Sequence, residues 1–261
     1  MKLCRFELNE SPGTARSGVL HDEKMYETDG RNAIATHDLG KLALLPPIGR
    51  PPSVRVFDVH RDAVGNPKLS YDFLNPARII GPAAELPSPE IARDLEIEPR
   101  VAMVLKDDGE RVETGEAADL VLGYAVMNTF IAPQELADEE SAGLPPGRSK
   151  DVAFAIGPWL TTNEELAEQR AGTTNESFVW NYRIRVNGEE IETGEARPEV
   201  SFAEMIHYAS QGGPVLAGEV LAGPKLPINP LSDSANGHGL LPGDRVDVEI
   251  AGLGLLVSRI V

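Results

Sequence analysis

Two glutamates stand one residue apart in Asp94-Leu95-Glu96-Ile97-Glu98, directly before an apolar run over residues 101–105. In a β-strand the side chains alternate between faces, so Glu96 and Glu98 point to one side and Leu95 and Ile97 to the other. Two carboxylates on one face repel each other unless a proton or a cation lies between them. A hard divalent cation with oxygen ligands would relieve that repulsion. The pair therefore predicts either a metal site or a solvated acidic strand face.

The neighbouring segments must position these carboxylates. Pro99 follows Glu98 directly, and because proline removes a ladder hydrogen bond, it predicts a break or bulge that re-aims Glu98. The run Lys106-Asp107-Asp108-Gly109 predicts a hairpin turn by its Asp-Gly pair. A second strand is expected over residues 123–128.

The glutamate motif and the second strand, Gly123-Tyr124-Ala125-Val126-Met127-Asn128, together resemble the fumarylacetoacetate hydrolase superfamily. The resemblance continues in order to the closing strands of the chain. It implies a mostly β protein with a few short helices (α+β), in the fumarylacetoacetase-type mixed β-roll. It also implies a small N-terminal β domain over residues 1–50, a catalytic domain over residues 51–261, and a homodimer.

The resemblance further implies a divalent cation, Mg²⁺, Mn²⁺ or Ca²⁺, held between acidic residues. Glu96 and Glu98 are the metal ligands that it carries over. Ser53 and Thr129 stand where the family has aspartates, so the expected ligand set is incomplete. A hydroxyl is a much poorer partner for a dication than a carboxylate, although Mg²⁺ is often held by one or two carboxylates with water and substrate.

The expected catalytic residues are His60, Lys150 and Glu98. His60 falls where the family has a general base, and Lys150 stands eight residues before Pro158, as does the family lysine that binds substrate oxygens. Without the resemblance, His60 would be a surface residue at a strand end and Lys150 would form an exposed Lys-Asp pair.

The resemblance also assigns residues to substrate binding. The candidates are Tyr124, Asn128, Thr129 and Gly223. The family arginine that binds the substrate carboxylate is replaced by Pro133, and the family threonine after Gly223 is absent.

Three further segments have local signals. Residues 133–147 are polar, acidic and Pro-rich, which indicates a mobile loop over the site or a linker. Asn187-Gly188 between two alternating runs predicts a hairpin. Ser201 with Glu204 predicts a capping box at the start of a helix.

Composition limits the classes of partner. The chain has 261 residues and a net charge of −17, which argues against nucleic acid and anionic membranes, because phosphate contacts need a basic surface. No apolar run approaches the roughly 20 residues of a membrane span. The single cysteine, Cys4, excludes an internal disulfide and is expected to be a buried thiol. With no apolar leader at the start, a cytoplasmic location is expected.

Three functions stay open. The first is a metal-dependent hydrolase or lyase acting on a 2-oxo acid or a 1,3-dicarbonyl carboxylate through a stabilised enolate, by C–C hydrolysis, decarboxylation or tautomerisation. The second is a metal-independent enzyme, such as an isomerase or a diverged biosynthetic enzyme, that uses His60 or Lys150 on the same pocket. The third is a non-catalytic homologue that keeps the dimer scaffold for binding.

Overall fold

The computed structural model describes residues 1–170, 178–233 and 237–261. Within these ranges the protein is mostly β with a few short helices, which confirms the predicted fold class. The strands, in chain order, are β1 (Lys2–Leu8), β2 (Ser11–His21), β3 (Lys24–Thr28), β4 (Ala33–Asp38), β5 (Leu42–Leu45), β6 (Val54–Arg61), β7 (Pro67–Leu74), β8 (Ile79–Ile80), β9 (Ala84–Leu86), β10 (Glu96–Leu105), β11 (Val121–Ile131), β12 (Ala153–Thr161), β13 (Trp180–Val186), β14 (Glu189–Ala196), β15 (Val220–Ala222), β16 (Arg245–Ile250) and β17 (Gly254–Ile260).

The helices are short and lie between the strands. The α-helices are α1 (Thr114–Ala117), α2 (Pro133–Ser141) and α3 (Phe202–Gln211). Short 3-10 helices cover Leu39–Lys41, Pro76–Arg78, Ala118–Leu120, Arg148–Lys150, Asn163–Gln169 and Leu231–Asp233. In the described ranges, none of the helices has both the length and the apolar character needed to cross a bilayer.

The strands form two sheets. The larger one runs in the order β4-β3-β2-β1-β12-β11-β10-β15-β6-β7, with β5 on β1 and β8 on β12, and the smaller one runs β14-β13-β16-β17-β9. The N-terminal strands continue the larger sheet, because Lys2 and Leu3 of β1 pair with Thr161 and Leu160 of β12. The division into a domain over residues 1–50 and a domain over residues 51–261 stays a prediction.

The N-terminal strands nevertheless have a small core of their own. Cys4, Phe6 and Met25 are buried there, and Trp159 of β12 packs against them. Burial raises the pKa of the Cys4 thiol to about 12. The expectation that Cys4 is a buried structural thiol agrees with this position.

The centre of the larger sheet is the antiparallel pair β10–β11, and the predicted break at Pro99 is wrong. Pairing runs without a shift from Glu96 opposite Ile131 to Val104 opposite Gly123. The Pro99 carbonyl accepts a hydrogen bond from the Leu226 amide. In an antiparallel strand the N–H and C=O of one residue point to the same side. The donor that Pro99 lacks therefore faces away from β11, beyond the end of β15, so no bond between β10 and β11 is lost.

Two other loop predictions also need correction. Residues 133–141 form helix α2, because Pro133 occupies the first helical turn, where a missing N–H costs nothing. The Asp-Gly turn after β10 is not a tight hairpin. Gly109 bonds with Val215 through both backbone groups and not with β11. Helix α1 and the 3-10 helix Ala118–Leu120 then follow before β11 begins.

The two strongest local signals are confirmed. Asn187 and Gly188, with φ of 52° and 87°, connect β13 to β14, as a type I′ hairpin turn requires. Ser201 caps α3 in a capping box with Glu204. Phe202 at the start of α3 then packs on Tyr124 of β11, with ring centroids 5.1 Å apart.

The close contact between β11 and β12 leads to a stability prediction at Gly123. A Cβ added to Gly123 would lie 2.9 Å from the Thr161 carbonyl oxygen and 3.3 Å from the Leu160 Cβ atom. Both atoms belong to the neighbouring strand, so the backbone must move. We expect Gly123→Ala to lower the free energy of unfolding by about 1–3 kcal/mol, measured by chemical denaturation. Gly49→Ala is the matched control, since no atom lies within 4 Å of its added Cβ. Equal stability of the two variants would contradict this packing.

Candidate functional site

One face of the larger sheet collects the charged residues. Glu98 lies opposite Thr129 across β10 and β11, and paired side chains project from the same face. Arg100 lies opposite Met127 in the same register. Met127 shares a buried cluster with Val56 of β6, and alternate residues of β6 and β7 continue this face. We call it the charged face, and its polar residues are Asp58, His60, Asp72, Glu98, Arg100 and Thr129.

The central group of the charged face is the guanidinium of Arg100, whose side chain is fully buried. Its Nη2 atom donates to Glu98 Oε2 at 2.9 Å. Its Nη1 atom donates to the carbonyl oxygens of Phe57 at 2.8 Å and Gly223 at 3.0 Å, and to Asp58 Oδ1 at 3.3 Å. One side chain therefore joins β10, the chain after β15, and β6.

Glu98 lies among three cationic side chains. Its side chain is 15% exposed, and its Oε1 atom lies 4.0 Å from Lys225 Nζ. Burial raises the pKa of Glu98, but the Arg100 guanidinium beside it, together with Lys150 and Lys225, outweighs this effect and holds the pKa below its usual range. Glu98 is therefore ionised at neutral pH.

Glu96 lies on the same strand face but has other partners. Its two carboxylate oxygens accept the backbone N–H groups of Leu231 at 2.8 Å and Ser232 at 2.9 Å. These amides begin the 3-10 helix Leu231–Asp233. Glu96 thus binds the segment after Lys225 and holds that segment at the start of β10.

Lys150 ends the 3-10 helix before β12, and its side chain is only 13% exposed. Its Nζ atom lies 3.6 Å from Asp72 Oδ2 of β7. Glu139 of α2 holds the turn before it, because its carboxylate accepts from the Gly147 and Arg148 amides and from Ser149 Oγ at 2.5 Å. The acidic segment over residues 133–147 therefore positions Lys150.

His60 and Ser53 lie further from this group. His60 is exposed near the end of β6, and its Nε2 atom is 2.8 Å from Ser70 Oγ. Ser53 precedes Asp58 by five residues, about 16 Å of extended chain at roughly 3.3 Å per residue. The aspartate that β6 brings to Glu98 and Arg100 is Asp58.

The four expected substrate-binding residues do not share one face. Thr129 is on the charged face, and its buried Oγ1 atom has no hydrogen-bond partner among the residues that the structure describes. Tyr124 and Asn128 alternate with it and point to the opposite face, where Tyr124 packs against Phe178 and Phe202. The family resemblance groups the three by their order in the chain, whereas the alternation of β11 places them on two faces.

Gly223 contributes its backbone to the charged face. Its carbonyl accepts from Arg100, and its amide donates to the Val101 carbonyl. Gly223 and Lys225 also line an apolar cavity of about 260 Å³ together with Trp180 and Phe202. On the other side, Lys225 lines a cleft of about 250 Å³ with Glu96, Glu98 and α2. The segment after β15 therefore separates the two spaces.

The charged face does not fit a divalent cation. Glu98 and Asp58 are hydrogen-bonded to Arg100, Glu96 is hydrogen-bonded to two amides, and Thr129 offers only a neutral hydroxyl. No group of three or more metal-ligating side chains occurs in the described ranges.

Several of these residues were not expected from the sequence. The sequence contains a signal for Arg100, because this residue follows Glu96 and Glu98 at the same two-residue spacing on one strand. Asp58, Asp72, Lys225 and Glu139 have no local motif. Their roles follow from strand order and from the path of the chain after β15.

Residues 55–261 match the family model described as the C-terminal domain of fumarylacetoacetate (FAA) hydrolase. The chain belongs to this family, which confirms the resemblance seen in the sequence. The structure of the fumarylacetoacetate hydrolase from Exiguobacterium antarcticum is similar over 100% of this chain and 99% of that chain, with a TM-score of 0.78 and 22% identity. The fumarylacetoacetase-type fold is thereby confirmed.

Two further similar proteins are named for the reactions they catalyse. An oxaloacetate tautomerase of Bacillus subtilis (strain 168) is 26% identical over 178 residues, which is 66% of this chain and 54% of that protein. The match thus spans about half the length of that curated relative. A maleylpyruvate hydrolase from Sphingobium sp. SYK-6, solved with manganese(II) and pyruvate, covers 100% of this chain and 99% of that chain, with a TM-score of 0.74 and 18% identity.

The carboxylate of Glu139 makes the turn before Lys150 pH-dependent. The hydrogen bond from Ser149, with the backbone bonds of Gly147 and Arg148, lowers the pKa of Glu139. Because this pKa is lower in the folded chain, the stabilisation is fully present above the unfolded pKa, about 4.3, and is lost as the pH falls through the folded value. We expect Glu139→Gln to lower the melting temperature at pH 7 and to make little difference below the folded pKa.

Differential scanning fluorimetry between pH 7 and pH 3 measures this. Glu140→Gln, on the same helix with an exposed side chain, is the control and should follow the wild-type curve throughout. A Glu139→Gln curve parallel to the wild type at all pH values would contradict the role of this carboxylate.

Proposed function

We propose that this protein is an enzyme that enolises a small 2-oxo acid or 1,3-dicarbonyl carboxylate, as a tautomerase or isomerase. The observation that carries the proposal is Glu98, an ionised carboxylate at the edge of a cleft with three cationic side chains around it. The ammonium groups of Lys150 and Lys225 attract an anionic substrate in spite of the chain's net charge of −17. The names of relatives, an oxaloacetate tautomerase and a 4-hydroxyphenylacetate degradation bifunctional isomerase/decarboxylase, support the same class.

The proposed reaction is a proton transfer. Glu98 Oε1, the oxygen that Arg100 does not bind, removes a proton from the carbon beside the oxo group. The electron pair of that C–H bond moves to the oxo oxygen, where Lys150 stabilises the negative charge. A water molecule donates a proton to this oxygen to give the enol, and Glu98 releases the proton it took from carbon to solvent water. The same steps in reverse give the ketone.

The electrostatics of Glu98 select the substrate. A carboxylate with a lowered pKa is a weak base, and general-base catalysis is most efficient when the pKa lies near the working pH. Such a base suits only a carbon acid that is already activated, such as a CH₂ group between two carbonyl groups. We assign the binding of the substrate carboxylate to Lys225, because its side chain is 60% exposed and lies beside Glu98. His60 has no direct role in the proposed reaction.

The substrate panel for a first test is oxaloacetate, an acylpyruvate and pyruvate. We expect enzyme-dependent loss of the enol absorbance of oxaloacetate and no comparable turnover of pyruvate, whose CH₃ group has one neighbouring carbonyl. Absence of turnover for every activated 2-oxo acid would contradict the proposed activity and favour a protein that binds carboxylates without catalysis. Release of carbon dioxide or of two cleavage products instead would assign the chain to the decarboxylating or hydrolytic relatives.

Lys150 provides a sharper test of the proposed roles. We expect Lys150→Met to lower kcat by about 10²-fold with a smaller change in KM, because removal of one oxyanion-stabilising group typically costs about 10²–10³ in kcat. Steady-state kinetics on the best substrate of the panel measures this.

The matched control is Lys106→Met, which removes an exposed lysine at the far end of β10. It should leave both constants unchanged. A Lys150→Met variant with wild-type kcat would remove Lys150 from the proposed chemistry.

A further inference from the structure

Arg100 offers an explanation for the incomplete metal ligands of this chain. Its guanidinium is fully buried and is bound by four oxygen atoms: carboxylate oxygens of Glu98 and Asp58, and the carbonyl oxygens of Phe57 and Gly223. Carboxylate and carbonyl oxygens are the ligands that a hard divalent cation takes in proteins. The same set of oxygens here accepts hydrogen bonds from a side chain.

We infer that the Arg100 guanidinium takes the place of a divalent cation in this site, so that the protein works without binding a metal there. The inference concerns the charge that organises the site, and it holds whether or not a 2-oxo acid is the substrate.

Charge balance supports this assignment. The two carboxylates bring two negative charges, which a dication would neutralise. Arg100 neutralises one, and the ammonium groups of Lys225, 4.0 Å from Glu98, and Lys150, which acts on the same carboxyl, supply further positive charge. Lys150 also lies 3.6 Å from Asp72. The cationic charge that a metal would concentrate at one point is therefore divided among three side chains.

Geometry supports it as well. Arg100 is on the same strand face as Glu98 and two residues away, so its side chain extends over the surface on which Glu98 and Thr129 lie. Arginine keeps its charge at any physiological pH and holds a fixed planar fork of donors. A metal could enter only by displacing this fork, which would leave the buried guanidinium without its carboxylate partners.

A titration of MnCl₂ with the full-length protein, followed by the electron paramagnetic resonance signal of free Mn²⁺, tests the inference directly. We expect wild-type protein to leave the signal unchanged apart from weak binding to its acidic surface, and this weak binding should be the same in Glu98→Gln. One Mn²⁺ bound per chain in the wild type and lost in Glu98→Gln would overturn the inference.

Removal of the guanidinium is expected to have the opposite effect and to create a metal site. Arg100→Met keeps an apolar stem of similar length and frees the carboxylates of Glu98 and Asp58. We expect this variant to bind one Mn²⁺ per chain at least 100-fold more tightly than the wild type, and the double variant Arg100→Met/Glu98→Gln to lose that site. Arg31→Met makes the same change of charge at an exposed position and should bind no better than the wild type.

Each outcome decides the question. A folded Arg100→Met variant, checked by circular dichroism, that binds Mn²⁺ no better than Arg31→Met would overturn the assignment of Arg100 to a metal position. If Arg100→Met does not fold, the comparison of wild type with Glu98→Gln decides alone. Enzyme assays are not needed for either result, so failure of the proposed reaction and failure of this inference are distinguishable.

Discussion

The buried ion pair between Arg100 and Glu98 is the interaction on which the rest of this site depends. A charged group taken out of water must be paired and hydrogen-bonded, and loss of one partner of a buried pair costs about 3–5 kcal/mol. The two terminal nitrogens of Arg100 meet that requirement by binding oxygens of Glu98, Phe57 and Gly223, while its Nε atom has no partner among the described residues. The same bonds fix the position of Glu98 and hold its carboxyl in the ionised form.

The fixed guanidinium also limits the chemistry. A metal ion can exchange a water ligand for a substrate oxygen, whereas both terminal nitrogens of Arg100 are already bonded to protein oxygens. Arg100 therefore sets the charge of the site, and in the proposed reaction the contact with substrate is made by the more accessible cations, Lys150 and Lys225. Proton transfer needs no more than a base and a stabilised oxyanion, which is why enolisation suits this arrangement better than a reaction that needs activated water.

Local patterns in the sequence were sufficient for much of the fold. The central strands, the Asn187-Gly188 hairpin and the capped helix α3 all follow from spacing and turn chemistry within a few residues. Pro99 was misjudged because its effect depends on where β15 ends, which is not local information. For the same reason, only some residues of the charged face could be expected from the sequence. Arg100 shares a strand with Glu98, but its other partners, Asp58 and the Gly223 carbonyl, lie 42 and 123 residues away in the chain.

The end of β15 links these features. β15 stops at Ala222, and the carbonyl of Gly223, the next residue, accepts a hydrogen bond from Arg100 Nη1. The chain then bends back, and the Leu226 amide meets the Pro99 carbonyl on the side where Pro99 has no donor. This bend carries Lys225 to Glu98, and Glu96 fixes the following segment through the Leu231 and Ser232 amides. An irregular strand end and a proline, each unfavourable in an isolated sheet, together leave Glu98 and Lys225 lining one cleft.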